Sequence, residues 1–164
     1  MAQKYYVNVA GVFIGSFDGA TPPTGSIAVP TPPNDQLQQW DGNQWVLRAP
    51  ALLEYTAAAR WAIEANGITV AGMHLETDDR SKLMIIGARK ASEADPQFTT
   101  QWKVSTGIFV TLDAAAIVAV SDAVAAHVAV CFAKEAEVSA QIAAGMVATF
   151  AQIDAAFAAV ATAY

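Results

Sequence analysis

The sequence predicts an α+β fold: a small domain of β-hairpins and helices, with a proline-rich N-terminal leader and a long alanine-rich C-terminal helix. Three observations predict it. Six of the seven prolines lie between Pro22 and Pro50. From Pro50 to about Val110, helical spacing alternates with short hairpin patterns. No proline follows Pro96, and 21 of the 36 alanines fall between Asp113 and Tyr164. The chain therefore divides into 1–49, 50–112 and 113–164.

In the leader, Tyr5 to Val9 reads as a strand, Ala10-Gly11 as a turn and Val12 to Ile14 as the return. Pro22-Pro23 and Pro30 to Pro33 then favour loop or polyproline-like backbone, because proline lacks a donor. Trp40-Asp41-Gly42-Asn43-Gln44-Trp45 reads as a tight hairpin, with Asp-Gly turning and the two tryptophans pairing across the strands.

In the middle part, Pro50 opens a helix that carries Leu52, Leu53, Ala57, Arg60, Trp61 and Ile63, and Asn66-Gly67 stops it. Ile68 to Val70, Ala71-Gly72 and Met73 to Leu75 form a second hairpin. Thr77 and Asp78 cap a helix from Asp79 to Ala94, which Asp95-Pro96 ends. Phe98 to Val104 and Ile108 to Thr111 form a third hairpin through Ser105-Thr106-Gly107.

The last part starts at a cap, Thr111 or Asp113. As one helix its 52 residues would span about 78 Å, far beyond the ~30 Å of a small domain. It protrudes or breaks, and Gly145 is the place for a break. Large residues recur by threes and fours at Ile117, Val120, Val124, Val128, Cys131, Val138 and Ile142. A heptad seam follows: Met146, Phe150, Ile153, Phe157, Val160 and Tyr164. Its small flanks point to self-association, with a trimer as the natural guess. Folding back at Gly145 onto its own domain is the alternative.

Charged residues are 15% of the chain against roughly 25% in typical domains, and the net charge is −6. The apolar content argues against disorder, and the acidic balance against nucleic-acid binding. One cysteine, Cys131, excludes a disulfide scaffold. Gly11 and Gly15 interrupt Tyr5 to Phe17, so no secretory signal is read there. No membrane span is expected, because Ala114 to Ala133 carries Ser121, Asp122 and His127, and Val138 to Val160 carries Gln141, Gln152 and Asp154.

Several motifs together resemble a known family. They are Asn66-Gly67 with the hairpin Ile68 to Leu75, Thr77-Asp78-Asp79-Arg80-Ser81, Trp102-Lys103, Gly107 to Leu112, His127-Val128, Cys131-Phe132 and Glu135. This set, within Ala58 to Ile142, resembles an uncharacterised domain family of tailed bacteriophages and prophages, encoded in tail-fibre and tail-fibre-assembly gene clusters. The proline pairs and the Trp hairpin resemble leader modules of tail-fibre-associated proteins. The resemblance implies a tail setting, hence a virion component made in the host cytoplasm with other tail proteins as partners. It implies no chemistry.

Candidate chemistry is sparse. His127 and Cys131 share a helix face at metal-ligand or Cys-His spacing, but core packing explains them as well. Glu76, Asp78 and Asp79 could serve a glycosidase, yet a helix start explains acidic residues. Trp40 and Trp45 could stack on a glycan, though such pairs more often staple a hairpin. No catalytic residue, metal or cofactor is assigned. The expectation is a non-enzymatic tail component, with Trp40, Asp41, Gly42 and Trp45 as an attachment hairpin. A tail-fibre assembly chaperone is the alternative, and a cell-wall hydrolase the lesser one.

Overall fold

The computed structural model describes residues 3–104 and 107–161. It has the α+β class: short antiparallel strand pairs and four helices. The first sheet is β1 (Tyr5–Val7), β2 (Phe13–Ser16) and β3 (Ile27–Val29), in the order β2-β1-β3. The turn comes earlier than the hydrophobic pattern suggests. Asn8 causes this, because its side-chain oxygen accepts from the N–H groups of Ala10 (2.9 Å) and Val12 (3.0 Å).

Strand β3 lies in the stretch read as proline-rich loop. Ile27 to Val29 is a proline-free window, and it pairs with β1 at the sheet edge. There the flanking prolines cost no ladder bond. β4 (Gln38–Trp40) and β5 (Trp45–Leu47) form the expected Trp hairpin, with Trp40 opposite Trp45. It is tied to the first sheet by the Trp40 N–H, which donates to Gly11 O at 2.8 Å. Gly11 has φ +78°, and a Cβ there would lie 2.1 Å from Trp40 O, so only glycine permits this approach.

Helix α1 (Ala49–Glu64) is followed by the hairpin β6 (Ile68–Val70) and β7 (Met73–Leu75). Helix α2 (Asp79–Ala94) starts at Asp78, whose carboxylate accepts from the Ser81 N–H. β8 (Thr99–Lys103) and β9 (Phe109–Asp113) form the third hairpin; its expected turn at Ser105-Thr106 lies outside the described residues. Helix α3 (Ala114–Ala143) is capped by the Asp113 carboxylate through the Ala116 N–H.

The alanine-rich part is two helices. α3 ends in a Schellman turn: Met146 N–H donates to Gln141 O and Gly145 N–H to Ile142 O, with Gly145 at φ +71°. Helix α4 (Phe150–Ala161) then begins with a capping box. Gln152 accepts from the Ala148 and Thr149 N–H groups, and the Thr149 hydroxyl accepts from the Gln152 N–H. The chain thus folds back at Gly145.

Two hydrophobic clusters share α3. One joins Leu52, Val138, Ile142, Val147, Ile153 and Phe157, with Leu47, Tyr55 and Phe150 against it. The other joins Ile68, Leu75, Ile85, Val120 and Val124, with Trp102 and Val128 against it. α3 has the length and apolar composition of a membrane-crossing helix, with 28% of its most apolar window buried. Its stripe from Ile117 to Ile142 packs inside this fold.

Candidate functional site

The residues singled out from sequence fall into two groups. The seam residues Ile153, Phe157 and Val160 are buried at 0, 2 and 5% exposure. Phe150 stacks on Tyr55 with ring centroids 4.3 Å apart, and the Tyr55 hydroxyl donates to Asp154 at 2.9 Å. Of the two expectations for this seam, the chain takes the fold-back at Gly145. The seam's apolar face is covered by α1 and α3 of the same chain, because the Gly145 turn brings α4 back onto them. Among the described seam residues, Met146 alone points outward, at 65% exposure. Tyr164 lies outside the described residues.

In the hairpin expected to serve attachment, the Trp40 and Trp45 rings meet edge-on at 5.5 Å, and Phe13 meets Trp45 edge-on at 6.1 Å. The Trp45 indole N–H donates to Thr31 O at 3.1 Å. Asp41 accepts from the Asn43 and Gln44 N–H groups at 2.8 Å each, and these bonds hold its carboxyl below the usual range. Gly42 takes φ +105°. The tryptophans are half-buried against the first sheet, so they staple the leader together.

Where α1, α2 and α3 meet, an ionic cluster forms that the sequence did not reveal. The Glu64 side chain is only 4% exposed and binds both Arg60 and Lys82. Arg60 also donates from Nε to Glu135 at 2.7 Å. The two cations lie over aromatic rings: Arg60 over Phe132 at 4.5 Å and Lys82 over Trp61 at 5.0 Å. Burial alone would raise the Glu64 carboxyl, but the bonds and charges of Lys82 and Arg60 outweigh it and hold the group below its ordinary value. Thr77 locks the neighbouring loop, donating to Glu64 O and accepting from the Gly67 N–H at 2.9 Å. Every charge here has a partner, so the cluster joins three helices rather than awaiting a substrate. Only the Arg60–Glu64 and Asp79–Lys82 pairs, four and three apart on one helix each, are local.

The chemical candidates resolve into packing. His127 and Cys131 are both buried, the sulfur 3.8 Å from one ring nitrogen. Burial pushes the Cys131 thiol up, which makes it a poor nucleophile. Asp78 spends its carboxylate on the cap, and Asp79 pairs with Lys82 at 3.3 Å. Among the described residues, no group of three or more His, Cys, Asp or Glu stands together as a metal site.

A different surface is open. Leu83, Met84 and Ile86 on α2 are 56–69% exposed, and Ile108 and Phe109 beside β8 are each 61% exposed. Between α2 and β8 runs a groove of about 350 Å³, lined by Glu76, Asp78, Arg80, Met84, the stretch from Gln101 to Lys103, and Phe109. Of these exposed apolar side chains, Met84 and Phe109 line the groove.

The class defined by this fold is a small helix-rich α+β module with an open groove between α2 and β8, lined by charged, polar and apolar side chains. Residues 48–162 match the family model described as Domain of unknown function (DUF4376), and the chain belongs to that family. No curated protein and no solved structure matches it.

Proposed function

We propose that the protein is a non-enzymatic component of a bacteriophage tail, part of a tail fibre or of the baseplate periphery, that joins other tail proteins. It is made in the host cytoplasm and carried in the virion. The observation that supports this reading best is the exposed apolar surface of Leu83, Met84, Ile86, Ile108 and Phe109. A protein that works by contact leaves such side chains for its neighbours. The motif resemblance to tail-associated proteins supplies the setting. Self-association through Phe150, Ile153 and Phe157 has no part in the reading, since the chain's own helices already cover these residues.

Mass spectrometry of purified particles from a lysogen or phage that encodes this chain tests the proposal. The expected result is the protein at a fixed ratio to the other tail proteins. Its absence from virions, with co-purification on free fibre chains, would replace a structural component with an assembly chaperone. A particle that lacks Leu83 and Met84 as large apolar groups, through Leu83→Ser with Met84→Ser, should incorporate less of it.

A further inference from the structure

The apolar stripe of α3 does not stop where that helix stops. From Val138 large residues continue through Ile142, Met146, Phe150, Ile153 and Phe157 to Val160, in steps of four or three. At 3.6 residues per turn, one unbroken helix would carry all of them within an arc of about 140°, together with the buried stripe of α3 from Ile117 onward. The folded-back form does not require this match. The turn at Gly145 resets the direction of α4, so each helix could carry its stripe at a phase of its own.

Met146 shows the surplus. It lies on the stripe between buried Ile142 and half-buried Phe150, yet it is 65% exposed. The turn beside it is held by local bonds. The Met146 and Val147 N–H groups donate to Gln141 O, and the Gly145 N–H donates to Ile142 O. A Cβ at Gly145 would meet no atom within 4 Å, so nothing packs against the bend there. No proline follows Pro96, and residues 144–149 can therefore take helical backbone. What seats α4 is its contact with α1 and the end of α3. Ile153 and Phe157 lie among Leu52, Val138 and Ile142, and Phe150 stacks on Tyr55. A second copy of the chain offers the same seat.

We propose that α4 is an exchangeable element. α3 and α4 straighten through Gly145 into one helix, and α4 takes the place of its counterpart on α1 and α3 of a second copy of this chain. Reciprocal exchange of an identical element closes a two-fold dimer. The contacts of Phe150, Ile153 and Phe157 are kept, now between copies. Residues 144–149 gain helical hydrogen bonds, and Met146 of each copy comes to the two-fold axis. The dimer gives up the bonds of the turn and the place of Val147 in the core. Glycine takes the left-handed turn without strain and is poor inside a helix, so position 145 keeps the dilute protein a closed monomer. The inference is independent of the tail reading.

The test compares the full chain with Gly145→Ala. The added Cβ strains the left-handed turn and suits the open helix, worth roughly tenfold per copy, so the dimerisation constant should rise about a hundredfold. Sedimentation at submillimolar concentration should show a dimer for the variant and a monomer for the wild type. The variant is also refolded from an equal mixture of carbon-13-labelled and unlabelled chains. A filtered NOE spectrum should then connect the Tyr55 ring of one copy with the Phe150 ring of the other. Adding Met146→Asp should return the monomer, because two carboxylates would meet in an apolar contact at the axis. A folded, monomeric Gly145→Ala would overturn the proposal. So would a dimer whose Tyr55–Phe150 cross-peaks stay within one copy, or one that Met146→Asp leaves intact. If Gly145→Ala does not fold, wild-type chain refolded from urea at millimolar concentration decides. Cross-peaks between copies support exchange, and their absence overturns it.

Discussion

Replacing Phe157 with alanine separates the two fates of the heptad seam. Phe157 is 2% exposed and packs among Leu52, Val138, Ile142 and Ile153. Removing a buried phenylalanine costs about 3–5 kcal/mol, through lost transfer energy and the cavity left behind. For a chain of this size, 1 kcal/mol lowers Tm by about 2–4 °C, so the loss should be about 6–20 °C. Met146→Ala, on the same seam but 65% exposed, should move Tm by little. The assay is thermal unfolding by circular dichroism over a hundredfold range of protein concentration, with sedimentation alongside. A contact inside one chain gives a Tm independent of concentration, whereas a contact between chains gives one that rises with it. The reasoning fails if Phe157→Ala leaves Tm unchanged but lowers the sedimenting mass. It fails equally if the wild-type Tm climbs steeply with concentration and the variant loses that climb.

Two further predictions follow from the α1–β6 junction. Glu64 titrates below its ordinary value of 4.5 in the folded protein, so its pairs with Arg60 and Lys82 stabilise the fold above that pH, and the contribution is lost as pH falls through the folded value. Acid unfolding followed by Trp fluorescence should show this loss below about pH 4.5, and Glu64→Gln should flatten that limb while lowering neutral-pH stability by about 1.5–3 kcal/mol. Gly67→Ala should destabilise by more than the ~1–2 kcal/mol of its left-handed conformation, because its Cβ would lie 2.6 Å from the His74 ring and 2.8 Å from Leu75 O. Gly72→Ala, at φ +79° with open space around it, should cost only the conformational part, and urea titration of the two variants compares them directly.

What could be read from sequence was local. The Asp-Gly turn between Trp40 and Trp45, the Asp78 cap of α2 and the Asn66-Gly67 stop each depend on neighbours a few residues away. The heptad spacing of Ile153, Phe157 and Val160 correctly identified an apolar face. Periodicity, however, does not say which helix covers a face, and the covering helices came from the same chain. β3 was hidden because prolines on both sides outweighed a three-residue window, although an edge strand tolerates them. The Glu64 cluster draws Lys82 and Glu135 from elements 18 and 71 residues further along. No spacing rule reaches that far. The groove is of the same kind, since it exists only where α2 lies beside β8.

The single spine α3 also fixes an order of assembly during synthesis. The cluster of Ile68, Leu75, Ile85, Val120 and Val124 is complete once the first third of α3 has emerged. The other cluster is not. Leu52 and Tyr55 wait for residues such as Asp154, 99 positions after Tyr55, and Phe157. Non-local contacts of this kind close late, and a chain made from its N-terminus holds their first half uncovered meanwhile. The apolar face of α1 is therefore the surface of the nascent protein that a chaperone would meet, and α4 is the element whose arrival ends that exposure.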